Sequence, residues 1–478
     1  MRLIAALSFA PVLCGQIHQT PVAGRWFPAA PLQLNQVLDR SLATSLRRTG
    51  DVPPRKRLLA LVVPHAGLDY SGAVAAAAYR LASKPRSVIL LGFSHRASLN
   101  GVVVPRVPGF STPLGEVSVN QALAAELGFP AVEERRVCDH SLENQLPFLR
   151  RWFPGVPIVP LYVGDLDGPQ LAAAARTLAA RLGLGDLLIA SSDFTHYGEA
   201  YQHVPFPKDD RILKRLHERA IEALEHVGSL SVQAFDDYLL RTGDTICGRG
   251  PIRLLMSALA SLRHDVYMTQ ADLMTSGELT GDYSLSVTYA ALAFYPAEAF
   301  SVEAPLQRRL LTHSRSALEA HLGGSPQLPD LADSSPELAQ RTGVFVTLRK
   351  LGELRGCVGS LSPRASLVQT VAERTLAAAV SDPRFPRLSR AEGPVAIEVS
   401  LLTPLKRLHD WRRFRAGWGG VLSLNGRGGL LLPQVASEMG WSEAQFLEGL
   451  SRKAGLPVNA YRHPDAKLYV FGAQVFAE

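Results

Sequence analysis

The chain has 478 residues, too many for one ordinary hydrophobic core, so two or more domains are expected. With 47% hydrophobic and 19% charged residues it reads as a soluble globular protein rather than a disordered one, and no later apolar run approaches the length of a membrane span. The formal charge of +7 is scattered, and its densest cluster, WRRFR at 411–415, is too short for a nucleic-acid stripe; neither nucleic acid nor membrane is expected as a partner.

The N-terminal MRLIAALSFAPVLCGQ imitates a signal peptide, with Arg2 ahead of an apolar run, but no small-residue cleavage site follows. Cys14, Cys138, Cys247 and Cys357 are far apart and form no C-x-x-C pair, so neither a disulfide framework nor a zinc ribbon is indicated. A cytoplasmic location is the expectation.

Strand-like and helix-like segments then alternate. RLLALVVP (57–64), SVILLG (87–92), VPIVPLYVG (156–164) and DLLIASS (186–192) are apolar runs of strand length. SGAVAAAAYRLA (71–82), PQLAAAARTLAARLG (169–183), DRILKRLHERAIEALEHV (210–227) and GPIRLLMSALASL (250–262) are helical, and GDYSLSVTYAALAFY (281–295) is a late strand. Buried strands alternating with helices predict an α/β fold, a mainly parallel sheet flanked by helices. The texture changes near Tyr295. A first domain over 1–298, a linker over 299–304 and a separate α+β domain over 305–478 are expected. In the second part GVFVTLRKLGELRGCVGSL (343–361) predicts two strands around a tight KLGE turn.

Ligands bind outside the carboxyl ends of parallel strands, so the strand exits carry the candidate chemistry. They present His65 in PHAG, His95 in GFSH, and Asp193 with His196 in SSDFTHYG. CDHSLENQLPFL adds His140 and Glu143, which their spacing places on one helical face. Each has an ordinary reading: a turn histidine, a capping aspartate, a helix-start pair. Three separate exits offering metal-ligand types point to a site instead. Two imidazoles with a carboxylate suit non-haem iron, and a thiolate widens the choice to copper or zinc. Cys247, in RTGDTICGRGPI just before a helix start and two residues from Arg249, is expected to be deprotonated, against the alternative of a small buried residue. In LRGCVG (354–359), two glycines around Cys357 imply close backbone approach or unusual torsions; the thiol is either reactive, aided by Arg355, or inert core, the reading favoured in a strand. DPRFPRL (382–388) is a rigid turn that could form a binding edge.

PVAGRWFP, PHAG, GFSH, DHSLENQLPFL, SSDFTHYG and TICGRGPI together resemble the successive motifs of the Memo family, over about 21–295. GVFVTLRKLGELRGCVGSL, SDPRFPRL, IEVSLLTPL and LLLPQVASEMGW are similar to the AMMECR domain, over about 305–476. The pairing resembles a fusion of proteins B and A of the AmmeMemoRadiSam system, whose third member is a radical-SAM protein. The Memo resemblance implies a fold like that of class III extradiol dioxygenases. It implies metal ligands at His65, His95 and Cys247, with Asp193, His196 and His140 in the same pocket. Iron (Fe2+), or else copper or zinc, is the implied cofactor. Leu68 departs from the usual aromatic after PHAG, and Cys138 stands where an acidic residue is common.

The resulting expectation is a mononuclear metal protein, an iron- or copper-dependent redox enzyme acting on a small-molecule or protein substrate with a radical-SAM partner. In it Asp193, His196 and His140 would serve as acid/base groups. The rival is a binding or scaffold protein that keeps a vestigial metal pocket.

Overall fold

A computed structural model of the chain describes residues 16–325 and 335–478. Cys14 and the signal-peptide-like run lie outside them. The chain divides into two compact units, one of 1–51, 58–263 and 269–294, the other of 52–57, 264–268 and 295–478. The 299–304 stretch, expected as a linker, carries buried Phe300 and Val302. Among the described residues no helix is long and apolar enough to cross a membrane.

The first unit is built on a nine-stranded sheet. Its centre is four parallel neighbours in the order Ala60–Val63, Asp186–Ser191, Ser87–Gly92 and Ile158–Val163. All four are buried along their whole length, which is why each reads as an unbroken apolar run. Outside this centre most pairings are antiparallel, although Val102–Pro105 pairs Ala131–Val132 in parallel. Leu285–Pro296 joins Ala60–Val63 antiparallel, His196–Gly198 joins Leu285–Pro296 antiparallel, and Val102–Pro105 joins Ile158–Val163 antiparallel. The sheet is therefore mixed. Helices pack against it, among them Leu68–Tyr79, whose alanines 75–78 are buried, and Arg249–Ala260, on which lies Gly168–Ala179, started by an Asp167–Gln170 capping box. The helix Pro31–Thr49, which the sequence reading passed over, buries Leu34, Val37 and Leu38 and opens with proline at its first position.

The second unit is α+β. An antiparallel sheet orders Glu353–Ser360, Gly343–Lys350, Ala396–Leu402 and Ala473–Ala477. Leu310 of helix Ala304–Leu322 and Val371 of helix Leu367–Val380 join Val346, Ile397 and Val399 in one apolar core. The KLGE turn is a two-residue hairpin loop with positive φ at both Leu351 (53°) and Gly352 (86°), the twist that hairpins favour. A second four-stranded sheet, Lys406–Arg407, Lys467–Phe471, Gly419–Leu424 and Arg427–Leu431, packs Leu422 and Val470 with Phe446 and Leu450 of helix Glu443–Lys453.

The glycines around Cys357 serve close approach, not unusual torsion. A Cβ on Gly356 would stand 2.1 Å from the Ala378 carbonyl oxygen, and one on Gly359 would meet the Phe345 ring. Cys357 itself is half-buried, and burial pushes its thiol up. The DPRFPRL turn covers the open edge of this strand: Asp382 accepts the Cys357 N–H at 2.8 Å, and Arg384 donates to the Cys357 carbonyl at 3.4 Å. Arg355 grips Glu392 through two hydrogen bonds of 2.8 Å and holds its carboxyl down to about 2 from an ordinary 4.5.

Two outcomes follow for the second unit. Gly356→Ala is expected to cost about 1–3 kcal/mol of stability, since backbone rather than a flexible side chain must move. A lower urea midpoint by circular dichroism checks this, and an unshifted midpoint refutes it. A depressed carboxyl contributes stability that is complete above its unfolded value and lost as pH falls, here from 4.5 towards about 2. Glu392→Gln is expected to flatten that acid limb in Tm measured against pH; a limb of unchanged slope would show that Glu392 is not its source.

Candidate metal centre

The three neighbouring parallel strands Ala60–Val63, Asp186–Ser191 and Ser87–Gly92 end at one rim, and His65, Asp193 and His95 follow them. His65 is only 2% exposed. Its backbone N–H donates to Asp193 Oδ1 at 2.9 Å, so the carboxylate bridges two strand exits. Cys247 arrives from the turn before helix Arg249–Ala260. The turn lies flat on the rim: Gly248 N–H donates to Ser192 Oγ at 3.0 Å, and a Cβ at Gly248 would come within 2.6 Å of the Ser191 carbonyl oxygen. Cys247 Sγ stands 3.3 Å from His65 Nε2.

Hydrogen bonding fixes the tautomers. Ser191 Oγ donates to the Ser141 carbonyl, so it accepts from Gln145 Nε2 (2.9 Å) and from His65 Nδ1 (3.1 Å). His65 therefore carries its proton on Nδ1 and turns the Nε2 lone pair to the sulfur. His95 Nδ1 lies 3.0 Å from Asp139 Oδ2, which also accepts the His95 backbone N–H at 2.6 Å. His196 Nδ1 donates to the Thr245 carbonyl at 3.0 Å. Each of these histidines thus leaves Nε2 free to accept or ligate.

Among the described residues, candidate ligand atoms gather in two overlapping sets here. His65, His95 and His140 form one, and His65, Asp193 and Cys247 form the other, each with its atoms within 4.8 Å of one another. The sequence-predicted trio of His65, His95 and Cys247 is thereby shared between two sets that pivot on His65. His140 stacks between Trp26 (ring centroids 3.9 Å apart) and His95 (4.2 Å). His196 belongs to neither set and packs against Tyr201. His140 and Glu143 do share the short helix His140–Glu143, yet Glu143 turns to His18 and Thr20 instead. The cap is Asp139, which accepts from Ser141 N–H at 2.9 Å.

Charge is costly at the buried centre of this site. Burial, followed by the nearby His95, holds His65 down to about 3; burial, followed by His65, does the same to His140. Burial also raises the Asp193 carboxyl. It pushes the Cys247 thiol up, with Asp193 adding to the effect, while hydrogen bonds from the Asp193, Ser192 and Gly248 groups pull weakly the other way. The expected depressed thiol is thus overturned. Desolvation outweighs the helix start, and Arg249 is exposed on the wall of the adjoining cavity. Imidazole lone pairs aimed into the site, beside a thiol and a carboxyl whose ionisation burial opposes, are the donor set a metal needs.

A cavity of about 760 Å3 opens beside His95 and Cys247, with Phe93, Arg96, Asp165 and Arg249 in its wall. Sequence reasoning missed Asp139, Trp26 and the buried polar trio Ser141, Asn144 and Gln145. The last two donate to the carbonyls of His65 (2.7 Å) and Pro64 (2.9 Å) and so set the strand exit. A capping aspartate directly before His140 was the one available signal.

Residues 18–293 match the family model described as Memo-like protein, and residues 311–476 match that of AMMECR1. A protein of Methanothermobacter thermautotrophicus is 42% identical over 180 residues, covering 36% of this chain and 93% of its own. The memo-1 homolog of Caenorhabditis elegans is 30% identical over 288 residues, covering 56% of this chain and 80% of its own. A crystal structure of an uncharacterized protein from Pyrococcus horikoshii aligns with 34% identity and a TM-score of 0.36, over 37% of this chain and 93% of that one. The chain belongs to the Memo-like protein family and carries an AMMECR1 domain fused behind its Memo domain.

Proposed function

We propose that the Memo unit is a mononuclear metal-dependent redox enzyme whose ion is held by His65, His95 and Cys247, with Fe2+ as the first choice and copper as the redox alternative; zinc suits the same ligands but is redox-inert and would restrict the site to Lewis-acid chemistry. The observation that carries this is the Nε2 lone pair of a buried, neutral His65 facing the Cys247 sulfur at 3.3 Å. The metal would supply Lewis acidity and open positions for O2 or substrate. The chain's own groups do the rest. Asp139 and Ser191 lock the rings of His95 and His65. Asp193, raised by burial, is a fourth ligand or a proton donor, and its Oδ1 stays engaged by the His65 N–H. His196, with Nδ1 tied to Thr245, keeps Nε2 as a general base, and neutral His140 is a hydrogen-bonding group for substrate beside it. Substrate enters through the cavity beside His95 and Cys247. A rim site on a parallel sheet centre supports the likeness to class III extradiol dioxygenases, and the fusion supports action with a radical-SAM partner.

Protein purified anaerobically is expected to contain metal, and His95→Ala and Cys247→Ala are each expected to lose most of it by elemental analysis. Metal-free wild-type protein would favour the scaffold reading, and full retention by both variants would remove the ligand assignment. Asp139→Asn keeps the shape but weakens the hold on His95. It is expected to lower metal affinity about 10–100-fold in chelator competition; wild-type affinity would show that Asp139 only caps its helix.

A further inference from the structure

We propose a second cation site in the Memo unit, formed by His18, Cys138 and Glu143, which takes one Zn2+-type divalent cation and pins the strand His18–Gln19 to the core. It shares no ligand with the centre above. One ligand atom from each of the three residues lies within 4.8 Å of the others. They come from separate elements. His18 lies on the strand His18–Gln19, paired parallel to Gly109–Thr112; Cys138 ends the turn Glu134–Val137; Glu143 lies on His140–Glu143.

The site is closed. The Glu143 side chain is 0% exposed, that of His18 13%, and Cys138 1%. His18 Nε2 stands 3.2 Å from Glu143 Oε1. Two ligands on a tetrahedral Zn2+ with bonds of about 2.0–2.1 Å are separated by about 3.3 Å, so this pair already has the spacing of a coordination edge. Thr20 Oγ1 donates to the other carboxylate oxygen, Oε2, which orients the group. The His18 ring is set edge-on against Phe110, with centroids 5.5 Å apart. Tyr162 hydrogen-bonds the Cys138 thiol, and its hydroxyl also accepts from Asp139 N–H at 3.1 Å.

An ion pair of His18 with Glu143 would account for those two residues alone. It leaves a buried thiol beside a buried carboxylate, with burial and then Glu143 both keeping the thiol protonated. A divalent cation with one thiolate, one carboxylate and one neutral imidazole sums to zero charge, which a closed site tolerates. Binding forms bonds from the metal to sulfur, nitrogen and oxygen and releases the Cys138 proton to solvent. Nothing is oxidised or reduced, and a solvent oxygen takes the fourth position. The depth of the three donors, with Glu143 and Cys138 sealed from solvent, gives the ion a structural role in spite of its solvent-held fourth position.

Cobalt reports on it through the thiolate-to-metal charge-transfer band. The full chain, stripped with chelator, is titrated with Co2+ in the His95→Ala/Cys247→Ala background, where Cys138 is the described thiol nearest a remaining ligand set. A saturable band and one bound Co2+ are expected, and adding Cys138→Ser is expected to abolish both. No band in that background, or a band indifferent to Cys138→Ser, overturns the site. Should the double variant fail to fold by circular dichroism, Cys138→Ser alone decides. It is expected to lose one Co2+ and about half the band of the wild-type chain; an unchanged spectrum overturns the proposal. Because metal at the first centre is read separately with Cys138→Ser, either site can fail without the other.

Discussion

The constraint on which the first unit turns is a histidine buried where three parallel strands end together. His65 has nowhere to place a charge, so each polar atom near it must be matched by a neighbour. Its N–H goes to Asp193, its carbonyl receives Asn144, and its Nδ1 donates to Ser191. Only Nε2 remains, and the flat Gly248 turn brings Cys247 to it. The lone pair is therefore aimed by a network that reaches back into four segments of the sheet and its helices, and it does not depend on a loop finding its place.

The segment 138–145 acts as a beam across that network. Asp139 holds His95, His140 stacks on His95 and Trp26, Glu143 holds His18 and Thr20, and Asn144 and Gln145 set the strand exit before and at His65. One short run of polar side chains, all of them buried or nearly so, thus joins the rim to the strand His18–Gln19. The small sheet around His18 and the rim are thus tied to one and the same segment, at Glu143 and at Asp139 and His140.

The four central strands are legible in the sequence because burial on both faces makes each an apolar run, and the rim residues are legible because they follow those runs directly. Strand direction at the edges is not legible. Leu285–Pro296 is as apolar as the central strands, so composition gives no sign that it runs antiparallel to Ala60–Val63. Val266–Thr275 mixes Thr, Gln and Asp with apolar residues and passes unread. The Cys247 environment shows a different limit. Its neighbours in sequence are polar and glycine-rich, which suggests exposure and a helix dipole. Its neighbours in space are His65, Asp193 and Ser192, which leave the residue half-buried and desolvate its thiol. Desolvation is a property of the fold, and local sequence does not carry it.

That reversal bears on why a thiol stands here. A second carboxylate beside Asp193 would place two like charges in one buried pocket, and each would oppose the other's ionisation. A protonated thiol is nearly apolar and rests against the His65 lone pair at little cost until a cation arrives. On the proposed reading, a divalent ion with the Cys247 thiolate, the Asp193 carboxylate and neutral imidazoles reaches zero net charge. Two imidazoles and one thiolate thus ease an electrostatic problem set by depth: the thiol adds no second carboxylate to the strand exit, and its ionisation can be coupled to the arrival of a divalent cation.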